Sequence, residues 1–225
     1  MTQQPSASEV FRAAKRLGAE LEQHGLLLAH DVLLPSATRV VAGVSIRGSW
    51  WGHPAGTLIY EALKRVESDV ARVKLVAGKS TLVHRRLWPA LAAAARSAQA
   101  WQTANLTSEE RALLERVERE RCVRVDQLPQ TEAIKPSDVA KRLELRLLVF
   151  ASSEHTESGH HAKILTSVAD WQARVGLADS ELPDADSALE ALTAPVRAWV
   201  GERLAGMLPW LPAPARKARR AGRSG

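Results

Sequence analysis

The sequence predicts a mostly helical α+β protein: two modules, each a set of helices followed by a β-hairpin, and then an amphipathic C-terminal helix. Three observations lead there. Apolar residues recur at helical spacing along most of the 225 residues, whereas only two stretches, VARVKLVAGKSTLVHRR and LLVFASSEHTESGHHAKILTSV, read as strand, turn and strand. Each of these stretches follows directly on a helical pattern. A chain of this length with 45% apolar residues can bury at least one good core.

Taken in order, the first helix spans about residues 7–24, with Val10, Phe11, Ala14, Leu17 and Leu21 on one side and Gly25 as its stop. LLLAHDVLLPSATRVVAG is a strand or loop leading into a short helix that opens at Pro35 or Ser36. After the breaker-rich RGSWWGHP, Pro54 suits the first position of a helix whose stripe is Leu58, Ala62, Leu63 and Val66. The hairpin around AGKS follows. LWPALAAAARSAQAW then reads as one alanine-rich helix with Pro89 in its first turn.

Past Trp101 the signals sharpen. Thr107 or Ser108 caps a helix with glutamates in its first turn and Leu113, Leu114 and Val117 buried. VRVDQLPQTEAIK is a short extended piece and a broken turn. PSDVAKRLELRLL opens at Pro136, buries Val139, Leu143 and Leu147, and exposes Lys141, Arg142 and Arg146. In the second hairpin Gly159 supplies the positive φ of the turn.

Charge is unevenly placed. The tail PAPARKARRAGRSG carries Arg216, Lys217, Arg219, Arg220 and Arg223 and no acid, so of the formal +6 only +1 belongs to the rest of the chain. Such a tail adds salt-dependent affinity for phosphate or an anionic surface, or serves only as a solubilising end. The lone Cys122 excludes an internal disulfide and a cysteine-based metal cluster. No apolar run approaches the roughly 20 residues that span a bilayer, and the N-terminus has no secretory apolar core, so a cytoplasmic protein is expected.

Helix, turn, helix and β-hairpin is the order of a winged helix-turn-helix domain. Residues 104–176 resemble that family, with DVAKRLELRLLV similar to its recognition helix running into the first wing strand and EHTESGHH similar to the wing; residues 54–100 repeat the order more weakly. The expected organisation is an N-terminal winged-helix-like module with a leading helix over 1–103, a second over 104–176, a helical extension over 177–211 and a disordered basic tail over 212–225. The resemblance implies a non-catalytic DNA-binding protein, a transcriptional regulator or DNA-repair accessory that contacts duplex DNA with a recognition helix and wing. The alternative is a winged-helix module that holds a protein partner.

The candidate nucleic-acid-binding residues are Lys79, Arg85 and Arg86 around the first hairpin, Lys135, Lys141, Arg142 and Arg146 at the second recognition helix, and Arg47 beside Trp50 and Trp51. Glu144 weakens the second face. The two indoles either stack on unpaired bases or pack into two cores. At the second hairpin tip, Glu154, His155, Glu157, His160 and His161 crowd together, but strand alternation sends His160 and His161 to opposite faces, so no metal is assigned.

No GxGxxG, P-loop, HExxH or GxSxG occurs, and the Gln, apolar, Gln triplet of one winged-helix DNA glycosylase family is missing, since two residues, not one, separate Gln127 from Gln130 and Gln99 from Gln102. No cofactor and no catalytic residue are therefore expected. In the C-terminal region Trp199, Val200, Leu204, Met207, Leu208 and Leu211 form a stripe that docks on the body, pairs in a homodimer through the 184–211 helix, or, least favoured, lies on a membrane.

Overall fold

The computed structural model describes residues 4–130, 135–155 and 161–213. Helix α1 (Ala7–His24) starts where Ser6 and Glu9 form a reciprocal capping box and stops at Gly25, whose φ of 79° closes the last turn. Strand β1 (Leu26–Leu28), helix α2 (Ala37–Ala42), helix α3 (Gly56–Arg65), strand β2 (Val70–Lys74) and strand β3 (Ser80–His84) follow. The three strands form one antiparallel sheet in the order β1-β3-β2.

The same connectivity returns further along. Helix α4 (Trp88–Arg96) and the short α5 (Ala100–Thr103) intervene, and then come α6 (Ser108–Glu120), β4 (Cys122–Arg124), α7 (Pro136–Leu145), β5 (Phe150–His155) and β6 (His161–Thr166). Their sheet has the order β4-β6-β5, the counterpart of the first. A helix, a first strand, one or two further helices (α2 and α3 in the first module, α7 in the second) and a two-stranded hairpin whose second strand lies in the middle is winged-helix-like topology, here twice in one chain. Helices α8 (Val168–Arg174) and α9 (Ala185–Val200) complete the fold.

Period-two alternation explains how the parts join. In β1, Leu27 enters the core of the first module with Leu17, Leu21, Ile59 and Leu82, while Leu26 and Leu28 point the other way into a second core with Val83, Leu91, Leu192 and Val196. In the second sheet Leu165 packs with Leu113, Val117, Val139 and Leu143, and Phe150 faces the same shared core as the first sheet. There its ring stacks on Trp171, with centroids 4.1 Å apart. The shared layer consists of α4, α8 and α9, and the alanines of α4 (Ala90, Ala92–Ala95) are buried, letting α9 approach closely.

Several expectations are corrected. Phe11 is 60% exposed, because the inward stripe of α1 is Val10, Ala13, Ala14, Leu17 and Leu21. The helix after Pro89 does not reach Trp101: the chain turns at Ala98 (φ 49°), where the buried Gln102 amide binds the carbonyls of Ala95 and Arg146 and its oxygen accepts from Gln99 N–H. Glu144 does not dilute an exposed face, because it is buried and paired with Lys163 of β6. Helix α9 runs through Pro195, and Trp199, Val200, Leu204, Met207 and Leu211 pack on the shared core. The apolar stripe is thus used within the chain. No helix among the described residues is long and apolar enough to cross a membrane.

Candidate nucleic-acid interface

In each module one helix, α3 or α7, directly precedes the two-stranded hairpin. Helix α7 starts at Pro136, whose fixed φ suits a first turn, with Lys135 as the exposed capping residue. Spacings of three and four place Asp138, Lys141 and Arg142 outside while Val139, Ala140 and Leu143 go in. These cations differ sharply in what they already hold. Arg142 Nε donates at 2.5 Å to Glu110 Oε1, and Glu110 is 1% exposed because it also closes the cap of α6 by accepting Thr107 N–H at 3.0 Å. Arg146 Nη1 donates to the carbonyls of Gln102 and Ala104 at 2.9 and 2.7 Å, tying α7 to α5. Among the described residues, Lys135 and Lys141 have neither an ion-pair partner nor a side-chain hydrogen bond.

The first hairpin does not stand out as a wing. Its turn passes through Ala77 and Gly78 with φ of 50° and 66°, Leu75 and Val76 are buried in the shared core, and Ala77 N–H donates to Met207 O at 2.7 Å. A Cβ on Gly78 would lie 2.9 Å from Leu145 Cδ2, so the turn is wedged against the end of α7. An apolar cleft of about 200 Å³ lined by Leu75, Gly78, Leu145 and Gly206–Pro209 marks this joint. Lys79 Nζ reaches back 2.5 Å to Asp31 Oδ2, Arg85 faces Asp69 at 3.5 Å, and Arg86 Nη2 donates to Gln23 O at 3.2 Å.

Asp31 is more than a counter-ion. It is 7% exposed and accepts N–H bonds from Leu33 and Leu34 at 2.8 and 2.9 Å. Burial pushes its carboxyl up, but the Leu34 amide, the Lys79 ammonium and the Leu33 amide together outweigh burial and hold it below the usual aspartate value. At the other end of β3, His84 is held below the usual histidine value, chiefly by burial.

The surface of α3 is different in kind. Buried Ile59, Ala62 and Val66 leave Thr57, Tyr60 and Lys64 along the outer side, with Arg65 beside them. The preceding turn carries Trp50 and Trp51, stacked with centroids 4.0 Å apart and planes 23° apart, and Trp51 lies 5.8 Å from Tyr60. A Cβ on Gly56 would meet the carbonyls of Trp51 and Trp50 at 2.9 and 3.0 Å, so only glycine lets the helix start this close to the two tryptophans. Upstream, His30 bridges the loop to α2. Its Nε2 donates to Gly48 O and its Nδ1 is hydrogen-bonded with the Thr38 hydroxyl, each at 3.0 Å. Arg47, beside Gly48, is exposed and unpartnered among the described residues.

Of the eight cations singled out in the sequence, the structure groups Lys135, Lys141, Arg142 and Arg146 on or beside α7, leaves Arg47 near α3, and gathers Lys79, Arg85 and Arg86 on a hairpin packed within the molecule. Tyr60 and Lys64 were not singled out. Their signal was present, since both fall outside the inward stripe of α3 one turn apart. The tip with Glu157 and His160 lies outside the described residues; the backbone of His155 pairs with that of His161 as the last rung before it. Among the described residues no group of three histidines, cysteines or carboxylates could hold a metal.

No protein-family model matches the chain, and no curated protein is similar to it in sequence. Among solved structures it is similar to the Streptomyces sahachiroi DNA glycosylase AlkZ, at 14% identity and a TM-score of 0.44, over 87% of this chain and 57% of that one. The chain thus spans little more than half the length of that neighbour. At so low a score nothing is transferred from it.

Proposed function

We propose that this chain binds duplex DNA without catalysing a reaction on it, as a regulator or a DNA-maintenance accessory. The observation that supports the reading is that α7, the helix before the second hairpin, has an outer side with cations that serve no internal partner among the described residues: Lys141 on the helix and Lys135 at its start. A helix surface of that kind suits phosphates and base edges in a major groove. Arg142 and Arg146 border the α7 surface but are tied to the fold. Lys79, Arg85 and Arg86 contribute only by exchanging their present partners for phosphate.

A second reading has its own support. Beyond the tail the chain is nearly neutral, and several of its exposed arginines already face carboxylates, as in Arg96–Asp179 and Arg197–Glu190. Such a surface suits a winged-helix module that holds a protein. An electrophoretic shift assay at about 150 mM salt on protein shortened to residue 211 separates the two. Duplex binding that survives the shortening and falls several-fold in Lys141→Gln supports the proposal, because removing one phosphate contact weakens binding and lowers the salt slope by about one. Binding by the tail alone favours the protein-holding module.

A further inference from the structure

We propose that the Trp51–Tyr60 surface at the start of α3 is a stacking platform for the unpaired bases of single-stranded DNA, with Arg47 and Lys64 holding the adjoining phosphates. This rests on the reading of the chain as a DNA-binding protein and deepens it: the cationic face of α7 takes duplex, and the aromatic face at α3 takes bases that have left the helix.

The rings are placed for this use. Trp51 is 64% exposed and Tyr60 is 40% exposed; with Phe11 they are the exposed aromatic residues among the described ones. Trp50 stacks on one face of the Trp51 indole, and Tyr60 lies tilted to it with centroids 5.8 Å apart, so the three rings form one cluster. Trp50 itself packs against the first-module core, which fixes the stack to the body. The platform is also rigid. The His30 bridge to Gly48, the His53 N–H bond to Trp50 O at 3.1 Å and the close approach of Gly56 fix the backbone on both sides of the indoles. A rigid aromatic pair binds a flat ligand with little ordering of its own side chains.

Charge selects the occupant. Arg47 lies three residues before Trp50, and Lys64 lies one turn beyond Tyr60 on the same side of α3; neither has a partner among the described residues. The nearest acid along the helix, Glu61, is half-buried. Cations flanking open rings match a phosphate backbone with splayed bases, and every base offers a π-face to an indole or phenol. A paired duplex hides those faces and shows only base edges, so it has no use for Trp51. An apolar protein surface would accept the rings but leave Arg47 and Lys64 without counter-charge.

The test uses the full-length protein with fluorescein-labelled oligothymidine of about 15 nucleotides, the ribose oligouridine of the same length and a mixed-sequence duplex, all at about 150 mM salt. Oligothymidine should bind with quenching of tryptophan fluorescence. Trp51→Ala and Tyr60→Ala should each weaken it about tenfold while leaving duplex binding within about twofold, and Trp51→Phe should retain most of the affinity. Equal or tighter oligouridine binding would overturn the assignment to DNA. Wild-type oligothymidine affinity in Trp51→Ala and Tyr60→Ala would overturn the platform. A change of sedimentation from dimer to monomer in Trp51→Ala would also overturn it, identifying the patch as a contact between copies. Absence of duplex binding by the wild type, with Trp51-dependent oligothymidine binding intact, would instead remove the duplex reading and leave the platform standing.

Discussion

The Arg142–Glu110 pair decides whether a basic residue on α7 serves the fold or the partner. Replace Arg142 by glutamine. Glu110 then keeps the Thr107 N–H on Oε2 but loses the donor to Oε1, inside a site where its side chain is 2% exposed. Breaking a fully buried ion pair costs about 3–5 kcal/mol, and an exposed pair contributes at most about 1 kcal/mol. Here one partner is buried and the other, Arg142, has a side chain 48% exposed, so water reaches part of the vacated site. The cost should therefore be that of one charge-assisted hydrogen bond to a buried acceptor, about 1.5–3 kcal/mol. For a chain of this size that lowers the thermal midpoint by about 3–12 °C. Differential scanning calorimetry or urea unfolding reads it, with Lys141→Gln as the control expected within about 0.5 kcal/mol of the parent. At a temperature where both variants are folded, Arg142→Gln should bind duplex within about twofold of the parent, while Lys141→Gln weakens it. Unaltered stability in Arg142→Gln, above all combined with lost DNA affinity, would refute the assignment of Arg142 to the fold.

Two further outcomes test the joints around the first hairpin. The depressed carboxyl of Asp31 contributes stability that is complete above the unfolded-state value of about 3.9 and is lost as pH falls through the lower folded-state value. Asp31→Asn should therefore be less stable than the parent at pH 7, with the gap in urea midpoints closing below about pH 4; a gap that does not change with pH would count against the role of that charge. Gly78→Ala takes on left-handed strain of about 1 kcal/mol and a contact with the Leu145 methyl that a small side-chain shift relieves, for a total of about 1–2 kcal/mol. Gly43→Ala, with a similar φ of 75° and nothing within 4 Å, should show the strain alone, so equal losses in the two variants would mean that the hairpin is not wedged against α7.

What the sequence determined by itself is the set of local decisions. Ser6 with Glu9 and Thr107 with Glu110 start helices, Gly25 stops one, and stripes such as Leu17–Leu21 and Leu113–Val117 say which side goes in, because these signals act within one or two turns of chain. The two hairpins are legible for the same reason. Tertiary structure decided the rest. Leu26–Leu28 becomes a strand only by pairing with Thr81–Val83, more than fifty residues away, and nothing in three leucines names that partner. The first hairpin is a joint and not a free wing because its turn meets Met207 and Leu145, both far along the chain. It was also tertiary structure that sorted the cations: Lys141 and Arg142 are neighbours of equal charge on one helix, yet Arg142 meets the buried Glu110 and Lys141 meets solvent. A charge is written in the residue, but whether it is already balanced depends on a carboxylate that folding brings from another helix.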